Sequence, residues 1–185
     1  MTLTKTPICD FGKIAVDFEL KSINNETISL EKIKGNNGTL VMFICNHCPY
    51  VKAIIKELVK DCKDLKREGI NSVAIMSNDT QNYPEDSFDK MIEFAKKNNF
   101  GDLHYLIDET QEVAKKYGAV CTPDFFGYNK NLELQYRGRI RELKDLKPLK
   151  DGESDLKLAM KMIAQTQKGP NKQIPSMGFN IKWKQ

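Results

Sequence analysis

Cys45 and Cys48 flank Asn46-His47 in the run Ile44-Cys45-Asn46-His47-Cys48-Pro49. Two thiols at i and i+3 can close a small disulfide and reopen it by exchange. A thiolate attacks a disulfide sulfur, and the second thiol resolves the mixed disulfide. The run lies where an apolar stretch, Gly38 to Ile44, gives way to a helical pattern from Tyr50 to Arg67. This placement is expected to aim both sulfurs at the free N–H groups and positive end of a helix. A thiolate forms more easily there than on free cysteine. His47, between the thiols, offers a positive charge or a hydrogen bond to the same sulfur. The competing chemistry is half of a zinc site, which needs two further ligands. Only His47, His104, Cys9, Cys62 and Cys121 are offered, and none forms a second close pair. Haem attachment is excluded, because Pro49 stands where a histidine is required.

Thr122-Pro123, far downstream at the start of an apolar strand pattern, is the second motif. An X-Pro bond entering a strand can be cis, which exposes the preceding residue's backbone to an approaching chain.

The elements that must position these residues follow from periodicity. Phe18-Glu19-Leu20 and Thr27 to Leu30 read as short strands around an Asn24-Asn25-Glu26 turn. Thr39 to Ile44 is continuously apolar, as suits a strand buried on both faces. Val51, Ile54, Ile55, Leu58, Val59, Cys62 and Leu65 fall at helical spacing, so Cys62 is expected in the core. Asn71 to Met76 is a second buried strand, and Ser77-Asn78-Asp79 follows at its carboxyl end, where α/β ligands bind. Asp86 to Asn98 and Gln111 to Tyr117 read as helices around a Leu103 to Ile107 strand, which makes His104 a core or surface residue. Asp124 to Tyr128 and Leu132 to Arg139 form a hairpin, and Ser154 to Gln167 is a final helix. The tail from 169 to 185 is too polar for an element of its own, with Trp183 packing it down. Residues 1–185 are expected to form one α/β domain: a central mixed sheet flanked by helices, with an N-terminal hairpin and a C-terminal helix and tail.

Composition agrees. The 185 residues carry a net charge of +4, are 40% apolar and 29% charged, and need no disulfide staple. Lysines alternate with acids, so no nucleic-acid-binding stripe emerges. The one basic cluster, Arg137 to Arg141, reads as a solvated strand edge. Met1 to Asp10 lacks a leader pattern and no segment is long enough to span a membrane, so a cytoplasmic location is the default. Five cysteines without framework spacing favour catalytic or metal-binding use in a reducing compartment.

Together these residues resemble the thioredoxin fold, and more narrowly its redoxin (AhpC/TSA-like) branch. Gly12-Lys13-Ile14-Ala15-Val16-Asp17-Phe18 is similar to that branch's opening motif, with Val16 at a usual proline. The Phe43 to Val51 run resembles a peroxiredoxin-like subgroup with a Cys-Asn-His-Cys-Pro motif. So do Ser77-Asn78-Asp79, Tyr83 to Ser87, Cys121 to Phe126, Pro175 to Gly178 and Ile181 to Lys184. The resemblance implies that Pro123 is a cis-proline facing Cys45 and that Cys45 is the nucleophile. It implies no cofactor and no bound metal.

Departures from the pattern bear on the chemistry. Thr39 stands where thioredoxins bury an acid that accepts the resolving thiol's proton, with Asp124 and Asp79 as substitutes. Asn46-His47 resembles the Pro-His of the oxidising enzyme DsbA, so His47 is expected to lower the Cys45 pKa and make the pair oxidising. Cys48-Pro49 keeps the register of a peroxidase Cys-Pro, but Cys45 occupies its threonine position and Val41 its proline position. Arg137 or Arg139 would have to supply the guanidinium that polarises peroxide. The expected activity is thiol–disulfide exchange: Cys45 attacks, Cys48 resolves, His47 tunes, and Thr122-Pro123 aligns the partner. Substrates would be protein or small disulfides and thiols, with a thioredoxin or glutathione system as reductant. A thiol peroxidase and a redox-inert or zinc-carrying binding module are the alternatives. Cys121 is either packing or a further redox thiol.

Overall fold

The computed structural model describes residues 1–185. Its strands are β1 (Leu3–Lys5), β2 (Glu19–Ser22), β3 (Thr27–Ser29), β4 (Gly38–Phe43), β5 (Ile70–Met76), β6 (His104–Ile107), β7 (Cys121–Thr122), β8 (Asp124–Asn129), β9 (Leu134–Tyr136), β10 (Leu143–Lys144), β11 (Lys147–Pro148) and β12 (Met177–Asn180). Its helices are α1 (Leu30–Ile33), α2 (Pro49–Lys52), α3 (Ile55–Lys66), α4 (Phe88–Lys97), α5 (Glu112–Tyr117) and α6 (Asp155–Thr166).

β4 organises the fold because all six of its residues are buried. Successive side chains on a strand point to opposite faces. Leu40, Met42 and the following Ile44 therefore enter one core with α3, α4 and α6, while Val41 and Phe43 enter another with α1 and α5. β4 pairs parallel with β5 and antiparallel with β8, in a seven-stranded sheet of order β3-β2-β6-β5-β4-β8-β9. This is the mixed α/β sheet expected, with the β2–β3 hairpin at its edge.

Four expectations are corrected. The Tyr50 to Arg67 helix is two helices, α2 and α3. At Ile54 the backbone shifts to a three-residue bond, Ile54 N–H to Val51 O at 3.1 Å, and both Ile54 and Ile55 turn inward. The Asp86 to Asn98 helix starts later, because the Ser87 hydroxyl accepts the Lys90 N–H and caps α4. Asp86 is left in the preceding 3₁₀ turn, Pro84–Asp86.

The tail is not structureless. β12 pairs antiparallel with both β1 and β7, in register Phe179 with Thr122 and Asn180 with Cys121. Main-chain pairing is indifferent to side-chain polarity, so a polar segment completes a ladder that its composition hides. A Cβ on Gly178 would meet Thr122 O at 1.9 Å, so only glycine allows this approach. Trp183 remains 37% exposed, and Lys115 lies over its ring.

The arginine cluster is not a solvated edge. Arg137 is only 7% exposed and makes a two-pronged pair with buried Asp124, at 3.1 and 2.9 Å. Arg139 is bound to Asp155 and Arg141 to Glu57.

Candidate active site

Ile44 ends β4 with its N–H on Ile75 O, so Cys45 emerges at the carboxyl end of the sheet. Cys48 is the N-cap residue of α2, with Pro49 at the first helical position. The two thiols therefore do not share a helix terminus as expected. Only Cys48 stands at the α2 terminus, where the Val51 N–H acts on its sulfur, while Cys45 lies in the preceding loop. Both residues are about 1% exposed.

The Thr122-Pro123 bond is cis, and Thr122 touches both sulfurs. Its hydroxyl lies 3.5 Å from Cys45 Sγ and its carbonyl oxygen 3.3 Å from Cys48 Sγ. The two thiols also act on each other, lowering the Cys48 pKa and raising that of Cys45. A donated bond from Cys45 is the largest influence holding the Cys48 thiol down, to about 5. Burial opposes it, while the Thr122 hydroxyl and the N–H groups of Phe179 and Val51 add to it. The Thr122 carbonyl would favour a proton on Cys48, but it is one acceptor against four donors. Cys45 is pushed well above the ordinary thiol range by the same bond to Cys48, then by burial and by the Asp86 carboxylate.

His47 stacks on Tyr83, with centroids 5.8 Å apart and planes 10° from parallel. Its Nδ1 lies 2.5 Å from Asp86 Oδ2. The ring N–H is poorly aligned with that line, but the contact is close enough for the Asp86 carboxylate to be the dominant influence on the imidazole. The contact with Asp86 raises the His47 pKa, against a smaller lowering by burial. The imidazole charge is thus matched by a carboxylate and does not act on Cys45 alone. The influences on Cys45 include Asp86, which raises its pKa, rather than a lowering by His47.

Asp86 is the residue that sequence reasoning missed. It is fully buried, forty positions from Asn46, and accepts the Asn46 N–H at 2.8 Å and Asn78 Nδ2 at 2.9 Å. Tyr105 donates to Asn46 Oδ1 at 2.7 Å and fixes that loop. A buried acid beside a Cys-x-x-Cys was the missing signal, but nothing local distinguishes Asp86 from other carboxylates. The substitutes named from sequence are occupied elsewhere: Asp124 with Arg137 and Val120 N–H, Asp79 with Gln81 and Asn82. Thr39 accepts the Gly35 N–H at 3.0 Å. Ser77 donates to Asp108, and Asn78 accepts the Lys182 N–H from the tail.

Cys45 Sγ, His47 Nδ1 and an Asp86 oxygen all lie within 4.8 Å of one another. Of the other ligands considered, Cys62 is core and pushed up to about 12 by burial, and Cys9 is raised to about 11, also mainly by burial. Cys121 is buried behind Pro123 with its Sγ on Pro123 O, and burial raises its pKa. His104 lies on β6 with its pKa lowered by burial.

The model of the AhpC/TSA family matches residues 11–143. A crystal structure of an uncharacterised conserved protein from Geobacillus kaustophilus is 38% identical with a TM-score of 0.94, over 100% of this chain and 97% of that one. A hypothetical protein from Sinorhizobium meliloti 1021 is 35% identical with a TM-score of 0.90, over 98% of each chain. The peroxidoxin BcpB from Mycobacterium tuberculosis shares the fold at 18% identity and a TM-score of 0.56, over 69% of this chain and 83% of that one. No curated protein matches the sequence. No helix is long and apolar enough to cross a membrane.

Proposed function

The chain belongs to the AhpC/TSA family of thioredoxin-like redoxins, and from that membership we propose that it exchanges disulfides through Cys45 and Cys48. The observation that carries this reading is the pair itself: two sulfurs against Thr122, with the Cys48 thiol held down to about 5. The lowered Cys48 thiol supports Cys48 rather than Cys45 as the leading sulfur. The Cys48 thiolate attacks a substrate disulfide, forms a mixed disulfide and releases one substrate thiolate. Cys45 then loses its proton and attacks the Cys48 sulfur, releasing the second. Two protein thiols become a disulfide as one substrate disulfide becomes two thiols. The Asp86–His47 pair lies beside Cys45 and acts as its proton acceptor. A thioredoxin or glutathione system is the matching reductant.

The order of attack is tested by trapping. With Cys48 leading, Cys45→Ser accumulates mixed disulfides with small or protein disulfides and Cys48→Ser does not. Trapping only by Cys48→Ser would return the lead to Cys45.

Peroxide reduction is the second reading, favoured by a low-pKa Cys48 followed by Pro49 at a helix start. Against it, Arg137 and Arg139 are both held by carboxylates and give no guanidinium to the sulfur. Rapid hydrogen peroxide consumption that is lost in Cys48→Ser would promote this reading.

A further inference from the structure

Cys45, His47 and Asp86 converge although they serve different parts of the chain. Their ligating atoms, a sulfur, a ring nitrogen and a carboxylate oxygen, lie within 4.8 Å of each other. His47 Nδ1 is buried against the Asp86 carboxylate, 2.5 Å away, so nitrogen and oxygen donors already face each other beside the Cys45 sulfur. We infer that these three side chains form a zinc site in the reduced protein, and that zinc held there regulates the pair by occupying the Cys45 sulfur.

The donor set suits this ion. Thiolate, imidazole and carboxylate are all zinc ligands, and three protein ligands with one open position are a recurring arrangement. The surroundings are built as metal sites require, with outer partners orienting the ligands. Asp86 is fixed by the Asn46 N–H and by Asn78 Nδ2, and Asn46 is fixed in turn by Tyr105. Nitrogen and oxygen on one tetrahedral zinc stand about 3.3 Å apart, given bonds of about 2.0–2.1 Å. The 2.5 Å His47–Asp86 contact must therefore open by under about 1 Å. The imidazole is free to give this, being half-buried and held by one face on Tyr83.

Binding is a proton exchange, not a redox step. Zinc displaces the proton of the Cys45 thiol and any proton on His47 Nδ1, these protons go to solvent, and no sulfur changes oxidation state. Zinc draws electron density from the bound sulfur and lowers its nucleophilicity, which slows its attack on the Cys48 sulfur. The regulatory part of this inference rests on the proposed exchange activity; the binding part does not.

The test uses the reduced full-length chain, titrated calorimetrically with zinc and spectroscopically with cobalt(II). One ion per chain is expected, with thiolate-to-cobalt charge-transfer absorption that disappears in Cys45→Ser. His47→Gln and Asp86→Asn should each weaken binding by more than about tenfold, beyond the smallest effect of losing an outer partner. Cys48→Ser should keep the ion. Zinc should slow Cys45–Cys48 disulfide formation in proportion to its occupancy. Failure of the wild type to bind either metal overturns the inference. So does binding that is lost in Cys48→Ser but unchanged in both His47→Gln and Asp86→Asn, since the ion would then lie on the cysteine pair alone. So does disulfide formation at an unchanged rate with zinc bound. If the cysteines never form a disulfide in glutathione buffers, the exchange reading fails while the binding isotherm stands.

Discussion

His47 Nδ1 lies 2.5 Å from the Asp86 carboxylate, and this contact raises the histidine pKa above its ordinary 6.5. Asp86→Asn removes the carboxylate charge, so the His47 pKa should fall. NMR titration of the imidazole measures this directly, and an unchanged pKa would sever the two residues. The stability consequence has a definite sign. A raised histidine pKa contributes stability fully present below 6.5 and lost as pH rises through the folded value. The charged hydrogen bonds that Asp86 accepts contribute about 1.5–3 kcal/mol as well. The Tm gap between wild type and Asp86→Asn should therefore be wider near about pH 6 than near about pH 9.

Cys48 ionises at about 5, with Cys45 as its proton donor. Iodoacetamide labelling of Cys48 in the reduced protein should rise through that pH and then level off. Cys45 should stay unlabelled across the neutral range. A single rise at about pH 8.5, the free-cysteine value, would remove the assigned thiolate. Above pH 5 the ionised sulfur stabilises the reduced form, so the pair should be more oxidising than thioredoxin at about −270 mV. A glutathione redox titration with mass-spectrometric readout measures this.

Gly178 lies against the Thr122 carbonyl, where a Cβ would stand 1.9 Å from the oxygen. Gly178→Ala should cost about 1–3 kcal/mol, the usual range for overpacking. It should also shift the Phe179 N–H from Cys48 and raise the thiol's pKa. Denaturant unfolding and the same labelling profile report the two effects separately.

Arg137 neutralises Asp124 inside the protein. Arg137→Met leaves a buried carboxylate without its partner, an expected loss of about 3–5 kcal/mol. Burial already raises the Asp124 pKa, and the variant should raise it further. A carboxyl raised in the folded state is penalised above its unfolded pKa of 3.8, and the penalty vanishes as pH falls below that. The Tm deficit of Arg137→Met should therefore shrink on acidification. A deficit independent of pH would mean lost packing against Phe126 instead.

The sequence by itself determined the sheet and the position of its chemistry. Runs such as Thr39 to Ile44, with five apolar residues in succession from Leu40, specify strands buried on both faces, because a half-exposed strand alternates apolar with polar positions. The Cys-x-x-Cys after that strand and the distant Thr122-Pro123 were legible as candidate site residues because spacing and residue type are local properties. The tertiary structure decided what is non-local. It brought Asp86 across forty positions to His47 and Cys45, paired the polar tail with Thr122 and buried Arg137 against Asp124. It also lowered the Cys48 thiol pKa, first through Cys45 and then through donors from Thr122, the tail and α2 together. Charge balance and proton position depend on distances between atoms, and those distances exist only once the chain has folded.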